Sequence, residues 1–177
     1  MPHRPASIKV RALQWLAQRE HSRIELRAKL LRLRRAARSG AQAESGDDAA
    51  PEVESEVDAL LDWLTDRGHL SQERFVESRV HARQRRFGNL RIRQELQRHG
   101  ARLDAVAAGA LQESEFDRAR QVWQRKYGAP AQDVAGRVRQ MRFLTGRGFS
   151  PEVIRRVVRG HFDSDTDAPD AEGLDSG

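Results

Sequence analysis

The sequence predicts an all-α protein, nine short helices in three groups of three, and three observations carry that reading. One motif is written three times: Trp15-Leu16-Ala17-Gln18-Arg19-Glu20-His21-Ser22, Trp63-Leu64-Thr65-Asp66-Arg67-Gly68-His69-Leu70-Ser71 and Phe143-Leu144-Thr145-Gly146-Arg147-Gly148-Phe149-Ser150. Each copy has an aromatic–Leu pair, an Arg three residues after that Leu, a turn, and a Ser opening the next apolar run. Apolar residues elsewhere recur with the helical period, and no alternating run has the length of a strand. Glycine closes most of the periodic runs, where a left-handed cap is favoured. A chain that repeats one helix–turn–helix element builds a row of small bundles, which presents a long surface to a partner.

Residues 1–7 read as a loose tail, and the first repeat occupies 8–67. Ile8, Ala12, Leu13, Leu16 and Ala17 form the stripe of the first helix. Ser22 opens the second, with Glu25 placed to complete a capping box and Leu26, Leu30 and Leu33 facing inward. Small and acidic residues over about 39–51 make a flexible linker. The third helix turns Val57, Leu60, Leu61 and Leu64 inward and ends at Arg67-Gly68. The second repeat spans 71–112: Ser71 caps a helix lined by Phe75, Val76, Val80 and Phe87, Asn89 caps the next with Ile92 and Leu96, and a short helix holds Leu103, Val106, Ala107 and Leu111. The third repeat, 114–160, places Phe116, Ala119, Val122 and Trp123, then Val134, Val138, Met141, Phe143 and Leu144, then Val153, Ile154, Val157 and Val158 in its core. Residues 163–177 are an acidic, disordered tail. Helices this short do not persist alone in water, so each group must bury its stripes against its own members.

The 177 residues carry 32 Lys and Arg against 26 Asp and Glu, a net charge of +6. That figure understates the folded part. Residues 39–56 and 163–177 each hold six acids and no Lys or Arg. Setting those twelve acids aside leaves an excess of eighteen bases, a field suited to a polyanion or an acidic protein surface. The chain has no Cys, which excludes disulfides and thiolate metal sites. No apolar run approaches the ~20 residues that span a membrane, and the start lacks a secretory signal, so a cytoplasmic location is expected.

No catalytic, metal or cofactor site is expected. His3 and His161 lie near the ends, His21, His69 and His99 in turns, and His81 on a polar helix side; no two have the i, i+4 spacing of a metal pair. Glu25, Glu73 and Glu152 stand in first turns, where they cap or meet the helix dipole. Basic clusters are the candidate binding residues. Arg79 and Arg83 share a helix side, Arg85 and Arg86 extend it, and Arg91, Arg93 and Arg98 add to it from the next helix. Arg23, Arg27 and Lys29 form a cluster in the first repeat, and Arg155 and Arg156 another in the third. Forked guanidinium groups suit phosphates and carboxylates. The recurring Arg19, Arg67 and Arg147 read as structural, each at a helix C-terminus. Trp15, Trp63 and Trp123 read as core residues; the acidic tail reads first as a solubilising end and second as a segment that lies back on the basic surface and weakens non-specific nucleic-acid binding.

The ordered set of short blocks resembles the regulatory protein RecX family of bacterial recombinase modulators. It comprises His21-Ser22-Arg23-Ile24-Glu25-Leu26-Arg27-Ala28-Lys29-Leu30, Leu64 to Ser71, Arg74-Phe75-Val76 with Ser78-Arg79-Val80, Arg91-Ile92-Arg93-Gln94-Glu95-Leu96 through Gly100, and Arg147-Gly148-Phe149-Ser150 with Ile154. The resemblance covers about residues 8–160. It implies three tandem three-helix repeats in an elongated, curved array, binding to RecA and the RecA filament on single-stranded DNA, and restraint of recombination, ATPase and coprotease activity without catalytic residues; the chain itself is expected to be a monomer. The family's basic positions would fall on Arg79, Arg91 and Arg93. Two other readings stand beside it: a DNA-binding module of helix-turn-helix type, and a basic adaptor for another acidic protein.

Overall fold

The computed structural model describes residues 7–39 and 50–160. The expected leading tail, most of the acidic linker and the acidic tail lie outside them. Nine helices and no strand occur among the described residues: α1 (Ile8–Gln18), α2 (Arg23–Ser39), α3 (Ala50–Asp66), α4 (Gln72–Gln84), α5 (Asn89–Arg98), α6 (Ala105–Glu113), α7 (Glu115–Tyr127), α8 (Val134–Gly146) and α9 (Pro151–Arg159). Ser7, expected in the loose tail, caps α1 by accepting from the Val10 amide at 3.3 Å. Both ends of the expected linker are helical, because Ser39 closes α2 and Ala50-Pro51 opens α3 with Glu52 in its first turn.

Three separate cores follow the three groups. Ala12, Leu26, Leu30, Leu31, Val57, Leu61, Leu64 and Leu70 fill the first. Phe75, Val76, Ile92, Leu96, Ala101 and Leu111 fill the second, and Ala119, Val122, Trp123, Leu144, Phe149, Val153, Ile154, Val157 and Val158 the third. Each large side chain so buried stabilises its group by roughly 1.5–3 kcal/mol before entropy is counted. The second core is the smallest, and it lies between the other two along the chain.

Several inward assignments change. Leu31 is buried in α2 while Leu33 is half-buried. Val106 is 82 % exposed: Asp104 caps α6 by accepting from the Ala107 amide at 2.7 Å, and Leu111 becomes the buried residue of that helix. In α8 the face turned to the core is Gly136, Gln140 and Leu144, not Val134, Val138 and Met141. The Trp123 indole explains the rotation. Its buried N–H needs an acceptor; Gln140 supplies Oε1 at 3.0 Å and donates its own amide to the Ala129 carbonyl at 3.1 Å.

The expected caps hold in part. Ser22 and Ser71 accept from the amides of Glu25 (3.1 Å) and Arg74 (3.2 Å). The Glu25 carboxylate turns to the Arg19 guanidinium and lies 3.3 Å from the His21 ring, so no reciprocal capping-box contact forms. Asn89 is not a cap: Gly88 holds that position, and Asn89 is the buried first residue of α5. Trp123 is a core residue, whereas Trp15 and Trp63 are half-buried, with the ammonium groups of Lys29 and Lys9 over their rings at 5.1 and 3.5 Å.

Candidate functional site

The second and third repeats are joined through main chain. The Gly88 amide donates to the Arg147 carbonyl at 2.9 Å and the Leu90 amide to the Gly148 carbonyl at 3.0 Å. Glycine is required on both sides. A Cβ on Gly88 would stand 2.3 Å from the Gly148 carbonyl oxygen; one on Gly148, whose φ is +78°, would stand 2.5 Å from the Arg91 Cβ.

Beneath this contact lies a buried polar cluster. Glu115 is fully buried at the start of α7, and its Oε1 accepts from the Asn89 amide at 2.8 Å and the Ser150 amide at 3.2 Å. One carboxylate thereby serves the N-terminal ends of α5 and α9, where helix dipoles favour negative charge. One turn on, Arg118 donates to the carbonyls of Gln84 (3.2 Å), Phe87 (2.9 Å) and Leu111 (2.8 Å), and to Asn89 Oδ1 at 2.6 Å. Burial pushes the Arg118 guanidinium below its usual range, and the charge of Glu115 opposes that shift. Asn89 completes the cluster by donating to Gln112 at 3.2 Å. These bonds fix α4 to α7 and α9 as one unit.

On this rigid joint sits a strip of cations and aromatic rings. The half-buried Phe87 ring has guanidinium carbons of Arg83, Arg86, Arg91 and Arg147 at 5.8, 5.7, 4.6 and 5.7 Å from its centroid. Arg147 also lies 5.1 Å from the Phe143 ring, which the Lys126 ammonium approaches to 4.4 Å and Tyr127 meets edge-on at 5.6 Å. Phe87 and Phe143 are therefore linked through one shared guanidinium. Arg91 donates to the Gly146 carbonyl at 3.1 Å while Arg147 donates to the Arg86 carbonyl at 3.3 Å, so each arginine caps the other repeat's chain. Arg91 and Arg98 line a groove of about 770 Å³ between α5 and the end of α8.

The residues singled out in the sequence divide. Arg86, Arg91 and, half-buried, Arg83 stand around Phe87; Arg85 is exposed beside them, its carbonyl 3.5 Å from the Arg125 guanidinium. Arg79 and Arg83 share the Glu95 carboxylate at 3.3 and 3.1 Å, which leaves the pair with one net charge. Arg93 is exposed and lines a separate cavity with Gln97 and Arg102. In the first repeat, Arg23 pairs with Asp62 at 2.7 Å and Arg27 with Asp58 (2.7 Å) and Glu54 (3.0 Å), stapling α2 to α3. Hydrogen bonding to Asp58, then Glu54, holds the Arg27 pKa well above its ordinary value, and the same bond holds the Asp58 carboxyl below its own. Lys29 is occupied by Trp15. Arg155 and Arg156 are exposed on α9, the latter 4.3 Å over the Phe116 ring.

Sequence reasoning missed Lys126 and Phe143 as parts of this surface, and gave Arg147 a local capping role. The available signal was the third motif copy, which alone sets Gly on both sides of its Arg. Glu115 and Arg118 were missed as well; their i, i+3 spacing at a helix start was the only trace. Among the described residues no cluster of three or more His, Asp or Glu could hold a metal, and no helix is long and apolar enough to cross a membrane.

Tandem three-helix repeats carrying an arginine-rich, aromatic-studded seam define an all-helical repeat protein. Residues 113–158 match the family model described as RecX, third three-helix domain. The chain is 44 % identical over 164 residues to the regulatory protein RecX of Ralstonia nicotianae, spanning 90 % of this chain and 91 % of that one. It is 46 % identical over 161 residues to that of Herbaspirillum seropedicae, spanning 90 % and 94 %. A crystal structure of RecX from Lactobacillus salivarius shares the fold, with a TM-score of 0.58 at 18 % identity over 88 % of this chain and 94 % of that one. The chain belongs to the regulatory protein RecX family.

Proposed function

We propose that this protein is a non-enzymatic, cytoplasmic regulator that binds the RecA recombinase and its filament on single-stranded DNA as a monomer, and that it inhibits strand exchange, ATP hydrolysis and coprotease activity. The observation that carries the reading is the Phe87–Arg147–Phe143 strip on a joint fixed by buried Glu115 and Arg118. A rigid seam lets several modest contacts act together, so the strength of the whole exceeds that of any one pair. Arg and aromatic side chains side by side suit both phosphates and unstacked bases. Acidic protein walls around a nucleic-acid core offer the complementary charge. Engagement of neighbouring subunits would hold the filament at one pitch and obstruct the cycle that hydrolysis drives.

RecA ATPase turnover on single-stranded DNA, measured against rising amounts of this protein, tests the reading. Turnover should fall and level off as the filament saturates; unchanged turnover at saturating occupancy sinks it. Binding compared on naked single strands, free recombinase and assembled filament separates it from a plain DNA-binding module, which would favour the naked strand with steep salt dependence.

A further inference from the structure

The rotation of α8 leaves an apolar stripe on the wrong side for a core. Val134, Val138 and Met141 follow at i, i+4 and i+7, so they share one face, and they are 68 %, 38 % and 38 % exposed. Arg137 and Arg142 flank that stripe and Arg139 lies farther round the same helix, all exposed, and none has a carboxylate within ion-pair distance among the described residues. An apolar strip edged by two uncompensated guanidinium groups, with a third on the same helix, calls for an occupant that is both acidic and partly apolar.

The chain contains such a segment next to it. Residues 161–177 carry six acids and no Lys or Arg, with Phe162 and Leu174 near either end. They follow directly on Gly160, the left-handed cap of α9, and α9 packs on α8. Seventeen residues reach at most about 60 Å, whereas α8 is about 20 Å long, so reach is no obstacle. Tethering so close to its site sets an effective concentration on the order of millimolar, enough for a weak contact to persist. We propose that residues 161–177 dock on the outer face of α8, with Phe162 or Leu174 on Val138 and Met141 and the carboxylates on Arg137, Arg139 and Arg142, and that this contact competes with polyanions for the basic surface of the third repeat. The expected solubilising tail thereby becomes a built-in competitor.

Two measurements test it, neither of which needs the recombinase, so failure here is distinct from failure of the proposed function. The chain has no Cys, so Ser176→Cys gives a single site for a nitroxide label. At low salt the label should broaden the α8 amides around Val138 and Met141 more than those of α1. A variant with Arg137, Arg139 and Arg142 all changed to Glu should lose that selectivity while keeping its helical signal. Removing residues 161–177 should tighten binding of a fluorescent oligo-dT strand about threefold or more at low ionic strength, and less as salt screens the contact. Broadening spread evenly over the three repeats, or oligo-dT affinity unchanged by the removal, overturns the proposal.

Discussion

Arg118 Nη2 and Asn89 Oδ1 stand 2.6 Å apart in a site closed to solvent, and that contact, together with the Asn89 amide on Glu115, ties the start of α5 to α7. Arg118→Ala would strip the Gln84 and Phe87 carbonyls of this donor, leave Leu111 with only the Ser114 hydroxyl at 3.3 Å, and leave Asn89 half-satisfied. Each buried group so orphaned costs about 1–3 kcal/mol, so a loss on the order of 3 kcal/mol or more is expected in urea unfolding. Arg118→Lys should recover little of it, because one ammonium cannot reproduce the fork.

Two alanine substitutions at glycine should move stability in opposite directions. Gly88→Ala drives a methyl into the Gly148 carbonyl and should cost about 2 kcal/mol or more, with the two repeats pushed apart. Gly109→Ala sits in the interior of α6 with nothing within 4 Å of the added carbon, and should stabilise by about 0.5–1 kcal/mol. Thermal melts of both variants against the parent chain check the pair.

Acid should weaken the first repeat in two stages. Burial, then the charge of Arg19 with a smaller contribution from Lys29, pushes the His21 pKa below 6.5, with Glu25 opposing. The unfolded chain therefore takes up the proton first, and stability falls as pH drops through 6.5 toward the folded value. Burial alone would raise the Glu25 pKa, but Arg19 and His21 outweigh it and hold it below 4.5, so a second loss follows as pH falls past that point. The urea midpoint should drop between pH 7.5 and 5.5, and His21→Gln should flatten that drop.

Charge removal should separate binding from stapling. Arg86→Ala and Lys126→Ala act on the exposed strip and should weaken single-strand binding without altering the melt. Each should also reduce the salt slope by about 0.7 if its cation meets a phosphate. Arg27→Ala should do the reverse: little change in binding, and a small loss of stability that fades with added salt, as befits a half-exposed ion pair. Anisotropy titrations at several salt concentrations, paired with urea unfolding, give both readouts.

The elements were legible in the sequence because helical periodicity and glycine caps are local. Leu26, Leu30, Leu61 and Leu64 declared their core by spacing alone, and Gly68, Gly100, Gly128 and Gly148 do sit at positive φ. What stayed hidden was set by partners distant in the chain. Asn89 looks like a cap until Glu115 and Arg118 arrive from 26 and 29 residues away. The stripe of Val134, Val138 and Met141 looks like a core face until Trp123 claims Gln140. The basic surface was half legible: the charge excess named the kind of residue, while only the folded chain shows Arg23 and Arg27 committed to α3 and Arg147 set between Phe87 and Phe143.

The two seams of the molecule are made of different stuff. The first repeat meets the second through side chains, with Arg74 on Glu20 at 2.8 Å and Ser22 near His99 at 3.4 Å, and among the described residues no main-chain hydrogen bond joins them. The second meets the third through amide and carbonyl. Pulled from its ends, the chain should therefore part at the first seam and yield there at low force, while repeats two and three travel on as a single stiff lever.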